Sequence, residues 1–230
     1  METMRRIALL AAGFLALLGL IVALDIALLE LMPGDAVEEM DRDITQWLVE
    51  ARTPGLSSFM RSATTLGSAR LIWFVAGIAA VAAYLSARTG GLLPLLPLVA
   101  MLGGLMNSLG KALTDRPRPL IRPLVETGSS SFPSGHATIA ALIFSALAVL
   151  IARGLSRRGK AAVWAAASAP IALVAVTRVY LGVHWPSDVV VGAATGIAWS
   201  LWCGRTLASN GAKRPIAGEP RSRVSRYPAP

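Results

Sequence analysis

Six long apolar segments restrict the folds open to this chain more than any other feature of its sequence. Hydrophobic residues make up 54% of the 230 positions and charged residues only 15%, and the charges cluster between the apolar segments. About 20 helical residues cross the hydrocarbon core of a bilayer, so we predict an all-α polytopic membrane helix bundle with six transmembrane helices. The predicted spans are Ile7–Met32, Leu71–Ala87, Leu92–Leu113, Ala137–Ala152, Ala161–Leu181 and Val189–Leu207. The fourth is short, and we expect its helix to begin earlier, within the preceding Pro-Ser-Gly-His sequence.

The distribution of lysine and arginine predicts the orientation of these spans, because cytoplasmic segments carry an excess of both residues. With the N- and C-termini in the cytoplasm, 13 of the 22 basic residues fall on the inside. Cations that cluster in an outer loop do not follow this rule, so we expect them to have a functional role. One outer loop holds four, namely Lys111, Arg116, Arg118 and Arg122. The six-span form and the Ala- and Arg-rich composition suggest a bacterial source, so we expect a protein of the bacterial inner (plasma) membrane with its active site on the extracytoplasmic side.

The two ends of the chain are predicted to differ in structure. Arg5 and Arg6 precede the first apolar run, a pattern shared with signal peptides. The run continues past Leu24 without a clear cleavage site, so we predict a retained first helix. Residues 209–230 are basic and rich in Pro, Gly and Ser, a composition typical of disorder. We therefore predict one domain over 1–208, followed by a disordered tail over 209–230.

The first outer loop, Pro33 to Arg70, carries two amphipathic patterns. Apolar residues recur there at steps of three and four, which predicts one or two short helices. Pro54 and Gly55 separate the two patterns. The first stripe consists of Val37, Met40, Ile44, Trp47, Leu48 and Ala51. Such helices lie flat in the membrane interface, and both a cap over the span ends and a lid that gates a site are compatible with the pattern.

The composition argues against several classes of function. A formal net charge of +9 is compatible with nucleic-acid binding, but the basic residues lie between spans and in the tail, where topology and anionic lipid account for them. The single cysteine, Cys203, excludes an internal disulfide, and no Cys or His pair has the spacing of a metal site. We therefore expect no nucleic-acid partner, no metal and no cofactor, whereas the oligomeric state is left open.

Ionisable groups at membrane depth are costly and mark functional sites, and here they form three clusters. The first follows the third predicted span, where Pro117 and Pro119 end the helix. Its Lys111 and Arg118 offer a point charge and a planar fork of donors, both suited to phosphate oxygens. We assign Arg116, in the same loop, to contact with lipid headgroups.

The other two clusters flank the last three predicted spans. Ser134, Gly135 and His136 precede the fourth span, where free backbone N–H groups at a helix start bind anions; Ser134 is also a plausible helix cap. The third cluster holds Arg178, His184 and Asp188. His184 and Asp188 lie four residues apart, so a helical turn brings them to one face, where the carboxylate can orient the imidazole.

Taken together, the three clusters point to phosphoryl transfer. The chain has only two histidines, and the predicted topology brings both to the same outer face as the cations and Asp188. A lone histidine is more often structural than catalytic, but nothing about a helix cap requires an imidazole. Cations, a helix N-terminus, two histidines and a carboxylate are the groups that phosphoryl transfer needs.

The clusters resemble the motifs of the type 2 phosphatidic acid phosphatase superfamily, which includes bacterial lipid phosphatases and soluble vanadium haloperoxidases. The family pattern is Lys, six residues and Arg-Pro; then Pro-Ser-Gly-His; then Ser or Thr followed by Arg, five residues, His, three residues and Asp. The chain has every spacing of this pattern. The matching stretches are Lys111–Pro119, Pro133–His136 and Thr177–Asp188.

The resemblance implies a role for each matching residue and a metal-independent hydrolase without a cofactor. His184 would attack phosphorus to form a phosphohistidine, with Asp188 orienting it, and His136 would protonate the leaving oxygen and then activate water. The phosphate would be bound by Lys111, Arg118, Ser134, Gly135 and Arg178. Six spans favour the lipid phosphatase branch over the haloperoxidases.

Several alternatives remain open at this level. The substrate of a lipid phosphatase can be phosphatidate, phosphatidylglycerol phosphate or undecaprenyl diphosphate. A phosphohistidine can also pass its phosphate to an acceptor lipid, which would make the protein a phosphotransferase. A third hypothesis is a non-catalytic channel or transporter, because prolines within spans are common in such proteins. The charges argue against it, since they lie at one face and not along a midplane pathway.

Overall fold

Every regular element in the described part of the chain is helical. The computed structural model describes residues 1–28, 36–85, 96–119, 121–126, 128 and 130–207. One short 3₁₀ turn covers Thr64–Gly67. The helices are α1 (Glu2–Ile26), α2 (Ala36–Glu50), α3 (Pro54–Ala63), α4 (Ala69–Leu85), α5 (Leu96–Leu113), α6 (Gly135–Ile151), α7 (Arg157–Tyr180) and α8 (Pro186–Leu207). The prediction of an all-α fold is confirmed.

Three of the described helices, α1, α5 and α7, are long and apolar enough to cross a membrane. Helix α6 is apolar but has only 17 residues, and it begins at Gly135, inside the Pro-Ser-Gly-His sequence as predicted. The count of six spans stays a prediction. The tail over 209–230 and parts of three predicted spans, 29–32, 86–87 and 92–95, lie outside the described residues.

Helix α6 lies at the centre of the bundle and packs against α4, α5, α7 and α8. Beside it, Trp199 of α8 is fully buried with Leu142 of α6 and Met106 of α5. The indole Nε1 of Trp199 donates to the carbonyl oxygen of Val99 at 2.9 Å. Its one polar group is therefore satisfied within the apolar core.

The closest helix contact joins α6 to α8, and small residues on α8 make it possible. Gly192, Gly196 and Ser200 recur every four residues and share one face. A Cβ atom at Gly192 would lie 2.7 Å from the carbonyl oxygen of Ser134, and Ser200 Oγ donates to the carbonyl oxygen of Leu142 at 2.8 Å. This packing of small residues resembles that of membrane helix pairs. It fixes the first turn of α6 beside the first turn of α8.

Helices α2 and α3 confirm the two predicted amphipathic helices, but α2 buries only part of its apolar stripe, where Leu48 packs on the bundle. Met40 and Trp47 are 48% and 67% exposed, whereas Asp41, Thr45 and Val49 are buried. The buried face therefore carries a carboxylate that contacts the bundle. The opposite, apolar face has the composition of a helix that lies on a lipid surface.

The segment between α2 and α3 is anchored to the end of α7. The Arg52 guanidinium donates to the carbonyl oxygen of Tyr180 through Nε at 3.0 Å and Nη2 at 2.5 Å, and to the carbonyl oxygen of Arg122 at 2.6 Å. Ser57 Oγ lies 3.0 Å from the Tyr180 hydroxyl. The two outer helices are thus packed over the bundle end as a cap.

We predict that Gly192→Ala lowers the thermal midpoint of the detergent-solubilised protein, because the added methyl group must push α6 away from α8. Overpacking of this kind costs about 1–3 kcal/mol. Gly104→Ala in α5 is the matched control, since no atom lies within 4 Å of its Cβ position and alanine favours the helix by about 1 kcal/mol. Equal midpoints for the two variants would contradict the proposed tight contact.

Candidate active site

Helix ends bring the three predicted clusters together. Lys111 lies in the last turn of α5 and Arg178 in the last turn of α7. Ser134 precedes α6, and Asp188 lies in the first turn of α8. The backbone N–H of Ser134 donates to the carbonyl oxygen of Asp188 at 3.1 Å. The close packing of α6 on α8 therefore joins the second cluster directly to the third.

The Asp188 carboxylate is the centre of the hydrogen-bond network. It is fully buried, and Oδ2 accepts from Ser131 Oγ and from the backbone N–H of Trp185 at 2.9 Å. The same oxygen lies 3.3 Å from His184 Nδ1. Oδ1 accepts from Arg116 Nη1 at 2.8 Å. Donors from three separate segments thus fix the carboxylate in one orientation, and the predicted pairing of His184 with Asp188 is present.

The neighbours of His184 specify one tautomer of its neutral ring. Nδ1 faces the Asp188 carboxylate, which accepts only, and Nε2 lies 3.3 Å from Arg118 Nη1, which donates only. The proton of the neutral ring therefore belongs on Nδ1. The lone pair of Nε2 is left on the side of the cations, as a nucleophile requires.

Burial also keeps His184 neutral near pH 7. Only 3% of the residue is exposed, and this burial lowers the pKa of His184 from 6.5 to about 4, although the hydrogen bond to Asp188 opposes the shift. Arg178 and Arg118 add to the lowering through their positive charges. The ring therefore carries no extra proton until the pH falls to about 4.

Lys111 and Arg118 converge on one backbone carbonyl. Lys111 Nζ donates to the oxygen of Ser130 at 2.7 Å, and Arg118 Nη2 donates to the same oxygen at 3.2 Å. Arg118 Nη1 also donates to the carbonyl oxygen of Val183 at 2.5 Å. Burial lowers the pKa of Arg118, and the charge of Asp188 opposes the shift. Two cations from the first cluster are thereby held beside His184.

Arg178 and Ser134 each have a buried polar atom without a partner in the described structure: Nε of Arg178 and Oγ of Ser134. Nη1 of Arg178 donates to Thr64 Oγ1 at 3.0 Å, which holds the guanidinium in place. Ser134 occupies the N-cap position of α6, but its side chain makes no capping hydrogen bond. Buried donors without acceptors require an explanation, and an anion between them would supply it.

His136 faces an open pocket at the start of α6. Within the described part of the chain its imidazole makes no hydrogen bond, and it lies within electrostatic reach of His184, Arg178, Arg118 and Lys111. The pocket measures about 400 Å³ and offers hydroxyl groups, one cation and two apolar side chains. Its other lining residues are Thr64, Thr65, Ser68, Arg70, Leu71 and Phe74.

Gly135 lies between Ser134 and His136 at the start of α6. A Cβ atom there would lie 3.0 Å from Asn107 Oδ1. A larger residue at this position would therefore crowd Asn107 at the helix start, where backbone N–H groups are of the kind that bind anions. All eight predicted site residues therefore lie around one centre.

The sequence prediction for Arg116 is wrong. This residue is 3% exposed and does not face a lipid headgroup, because Nη1 contacts Asp188 and Nη2 donates to Asp41 Oδ2 at 2.8 Å. Asp41 lies on α2, where a single carboxylate among other charges gives no signal of burial. Ser131 and Thr64, which contact Asp188 and Arg178, were likewise missed as site residues.

Both the sequence and the helical fold of this chain are similar to those of known membrane phosphatases. Residues 92–211 match the family model described as the PAP2 superfamily. Phosphatidylglycerophosphatase B of Bacillus subtilis (strain 168) is 34% identical over 166 residues, which are 71% of this chain and 81% of that protein. The chain belongs to the PAP2 superfamily.

Two further comparisons support this assignment. A crystal structure described as the first transmembrane PAP2 type phosphatidylglycerolphosphate phosphatase, from Bacillus subtilis, matches with a TM-score of 0.69 and 30% identity, covering 84% of this chain and 92% of that one. A lipid A 1-phosphatase of Rhizobium johnstonii is 39% identical over 71 residues, which are 31% of this chain and 25% of that protein. The resemblance inferred from the three motifs is confirmed.

We predict that His184 stays neutral from pH 8 to about pH 5, because burial lowers its pKa to about 4. Nitrogen-15 NMR of imidazole-labelled protein in detergent measures this directly, since the chain has two histidines. His136→Gln assigns the two sets of signals. The same spectra report the tautomer, and the Nδ1–H form is expected. Protonation of His184 near pH 6.5 would contradict the prediction.

Proposed function

We propose that this protein is a lipid phosphatase of the bacterial inner membrane, with its active site on the extracytoplasmic side, that hydrolyses a lipid phosphate monoester or diphosphate. The observation that carries the proposal is the geometry of His184, whose Nδ1 faces the Asp188 carboxylate while Nε2 faces Arg118. Arg178 and Ser134 hold unsatisfied donors beside this centre, where a phosphate group would fit.

In the proposed first step, Nε2 of His184 attacks phosphorus and the bond from phosphorus to the lipid oxygen breaks. His136 gives its proton to the departing oxygen. Burial and then the neighbouring cations disfavour this proton in the free enzyme, and a bound phosphate dianion offsets the charge of the cations. Asp188 stabilises the positive charge that develops on the His184 ring, while Lys111, Arg118 and Arg178 bind the phosphoryl oxygens.

In the proposed second step, water attacks the phosphohistidine. His136, now neutral, takes a proton from the water as its oxygen bonds to phosphorus, and the bond between nitrogen and phosphorus breaks. Phosphate leaves, and both histidines return to their initial states. No group of three His, Cys, Asp or Glu side chains in the described structure is placed to hold a metal ion, so the assays below are run without added metal.

Among the possible substrates we favour phosphatidylglycerol phosphate over phosphatidate and undecaprenyl diphosphate. The B. subtilis relative is named a phosphatidylglycerophosphatase and covers most of this chain. The pocket beside His136 also fits a leaving group with a charge of its own, because Arg70 lines it together with three hydroxyl side chains. Phosphatidylglycerol carries an anionic phosphodiester, whereas diacylglycerol is neutral, so the pocket favours phosphatidylglycerol phosphate over phosphatidate. The leaving group of undecaprenyl diphosphate is also an anion, so the preference over that lipid rests on the relative alone.

We predict that His184→Ala lowers the rate of phosphate release by about 10⁴-fold or more, the loss expected when a nucleophile is removed. With phosphorus-32-labelled substrate, wild-type protein should retain label that is stable in alkali and labile in acid, as a phosphohistidine is. His136→Ala should accumulate this label from p-nitrophenyl phosphate, whose leaving group needs no proton. Phosphate release by His184→Ala at the wild-type rate would refute the mechanism.

We also predict that Arg70→Gln changes the choice of substrate. It should lower kcat/KM for phosphatidylglycerol phosphate by about tenfold, the value of one ion pair of about 1.4 kcal/mol, and leave phosphatidate hydrolysis nearly unchanged. Both lipids are assayed in mixed micelles at equal surface concentration. Arg61→Gln is the matched control, because Arg61 is exposed on α3 and does not line the pocket. An equal loss for both lipids would contradict a role for Arg70 in selectivity.

A further inference from the structure

A buried chain of ion pairs connects the outer helix α2 to the catalytic carboxylate. Arg116 lies between two aspartates, with Nη2 at 2.8 Å from Asp41 Oδ2 and Nη1 at 2.8 Å from Asp188 Oδ1. The exposed fractions are 3% for the Arg116 side chain, 1% for Asp41 and 0% for Asp188. Neither Asp41 nor Arg116 belongs to the three family motifs.

Ser187 is bonded to both Asp41 and Arg116. Its backbone N–H donates to Asp41 Oδ1 at 2.9 Å, and its hydroxyl lies 2.5 Å from Asp41 Oδ2. Arg116 Nη1 also donates to Ser187 Oγ at 2.6 Å. Since Ser187 directly precedes Asp188, α2 is bonded to the residue beside the catalytic carboxylate as well as to Arg116. The network leaves no polar atom of Asp41 or Arg116 among the unpartnered buried atoms of the described structure.

We propose that Arg116 and Asp41 are positioning residues, which hold the Asp188 carboxylate in the orientation that serves His184 and make that orientation depend on the docking of α2. The inference rests on the proposed function of His184 and Asp188. Arg116 fixes Oδ1, so that Oδ2 remains directed at His184 Nδ1. Asp41 in turn fixes the planar guanidinium, whose fork spans both carboxylates and Ser187 in a way that a lysine ammonium does not.

The alternative is an ion pair that stabilises the fold without affecting the chemistry. Breaking a buried pair is destabilising in either case, because one charge is left without a partner. A positioning role lowers kcat, whereas a purely structural pair leaves it unchanged, and the titration of His184 shows whether the two charges are coupled to its ring. Loss of the Asp41 charge leaves Arg116 uncompensated and disfavours protonated His184, whereas loss of the Arg116 charge leaves Asp188 uncompensated and favours it.

Other charged groups also face His184, and they set the background for this test. Asp188 contacts the ring, while Arg118 and Arg178 approach it from the segment after α5 and from α7. His136 lies near it at the start of α6, with Lys111 beyond. None of these groups is changed in the variants below. A difference in the titration of His184 therefore reports the ion pairs between Asp41, Arg116 and Asp188.

The experiment compares Asp41→Asn, Arg116→Gln and Arg116→Lys in detergent, with two readouts. In the first, kcat for the lipid phosphate should fall by up to about 100-fold in all three, the loss expected when a catalytic group is misplaced but not removed, with a much smaller change in KM. In the second, nitrogen-15 NMR should show His184 titrating at lower pH in Asp41→Asn and at higher pH in Arg116→Gln. Arg116→Lys should titrate close to the wild type because its charge is kept.

Matched controls are Asp43→Asn, an exposed carboxylate on the same helix, and Arg61→Gln, an exposed arginine on α3. Both should keep the wild-type kcat and titration. Thermal midpoints identify any variant that does not fold, and Arg116→Lys then replaces Arg116→Gln in the kcat comparison.

Wild-type kcat in Asp41→Asn would overturn the inference. Titration shifts of the same sign in Asp41→Asn and Arg116→Gln would also overturn it and leave a structural ion pair only. Absence of phosphate release by the wild-type protein would instead refute the proposed function. The NMR titration would still show whether Asp41 and Arg116 are coupled to His184.

Discussion

The site depends on one buried carboxylate, Asp188, whose two oxygens both accept hydrogen bonds. Asp188 receives donors from Ser131, Trp185 and Arg116, and it faces the Nδ1 atom of His184. A buried carboxylate is tolerated only when hydrogen bonds and countercharge replace water. The segments that supply these donors are therefore held together by the same interactions that orient His184. Stability of the loops and the orientation of the reactive imidazole have one physical origin.

Close packing of α6 on α8 supplies the scaffold for this arrangement. The backbone of Ser134 bonds to the carbonyl oxygen of Asp188 because Gly192 leaves room for the two helix starts to meet. Both histidines are placed by this contact, one at the beginning of α6 and the other in the turn before α8. Helix geometry and not loop flexibility thus sets the spacing between the proposed nucleophile and the proposed acid.

The sequence predicted the all-α fold and the family correctly, because hydrophobic length and fixed motif spacing are local properties. The helix over α6 and the pairing of His184 with Asp188 followed from spacings of a few residues. The contact between Arg116 and Asp41 was not predicted, because it joins positions 75 residues apart and each residue looks like an ordinary surface charge. The sequence also did not show that Met40 and Trp47 of α2 are exposed, since periodicity identifies an apolar face but not what that face contacts.

The cap formed by α2 and α3 has a consequence for the modularity of the fold. The family match begins at residue 92, yet Asp41 and Thr64, which hold two of the buried site arginines, precede it. A transplanted segment over 92–211 would contain every motif residue and would still leave Arg116 without one of its two carboxylates. Burying a charge without its full complement of partners costs several kcal/mol. The unit that builds the site is therefore larger than the region that carries the motifs, and it includes α2.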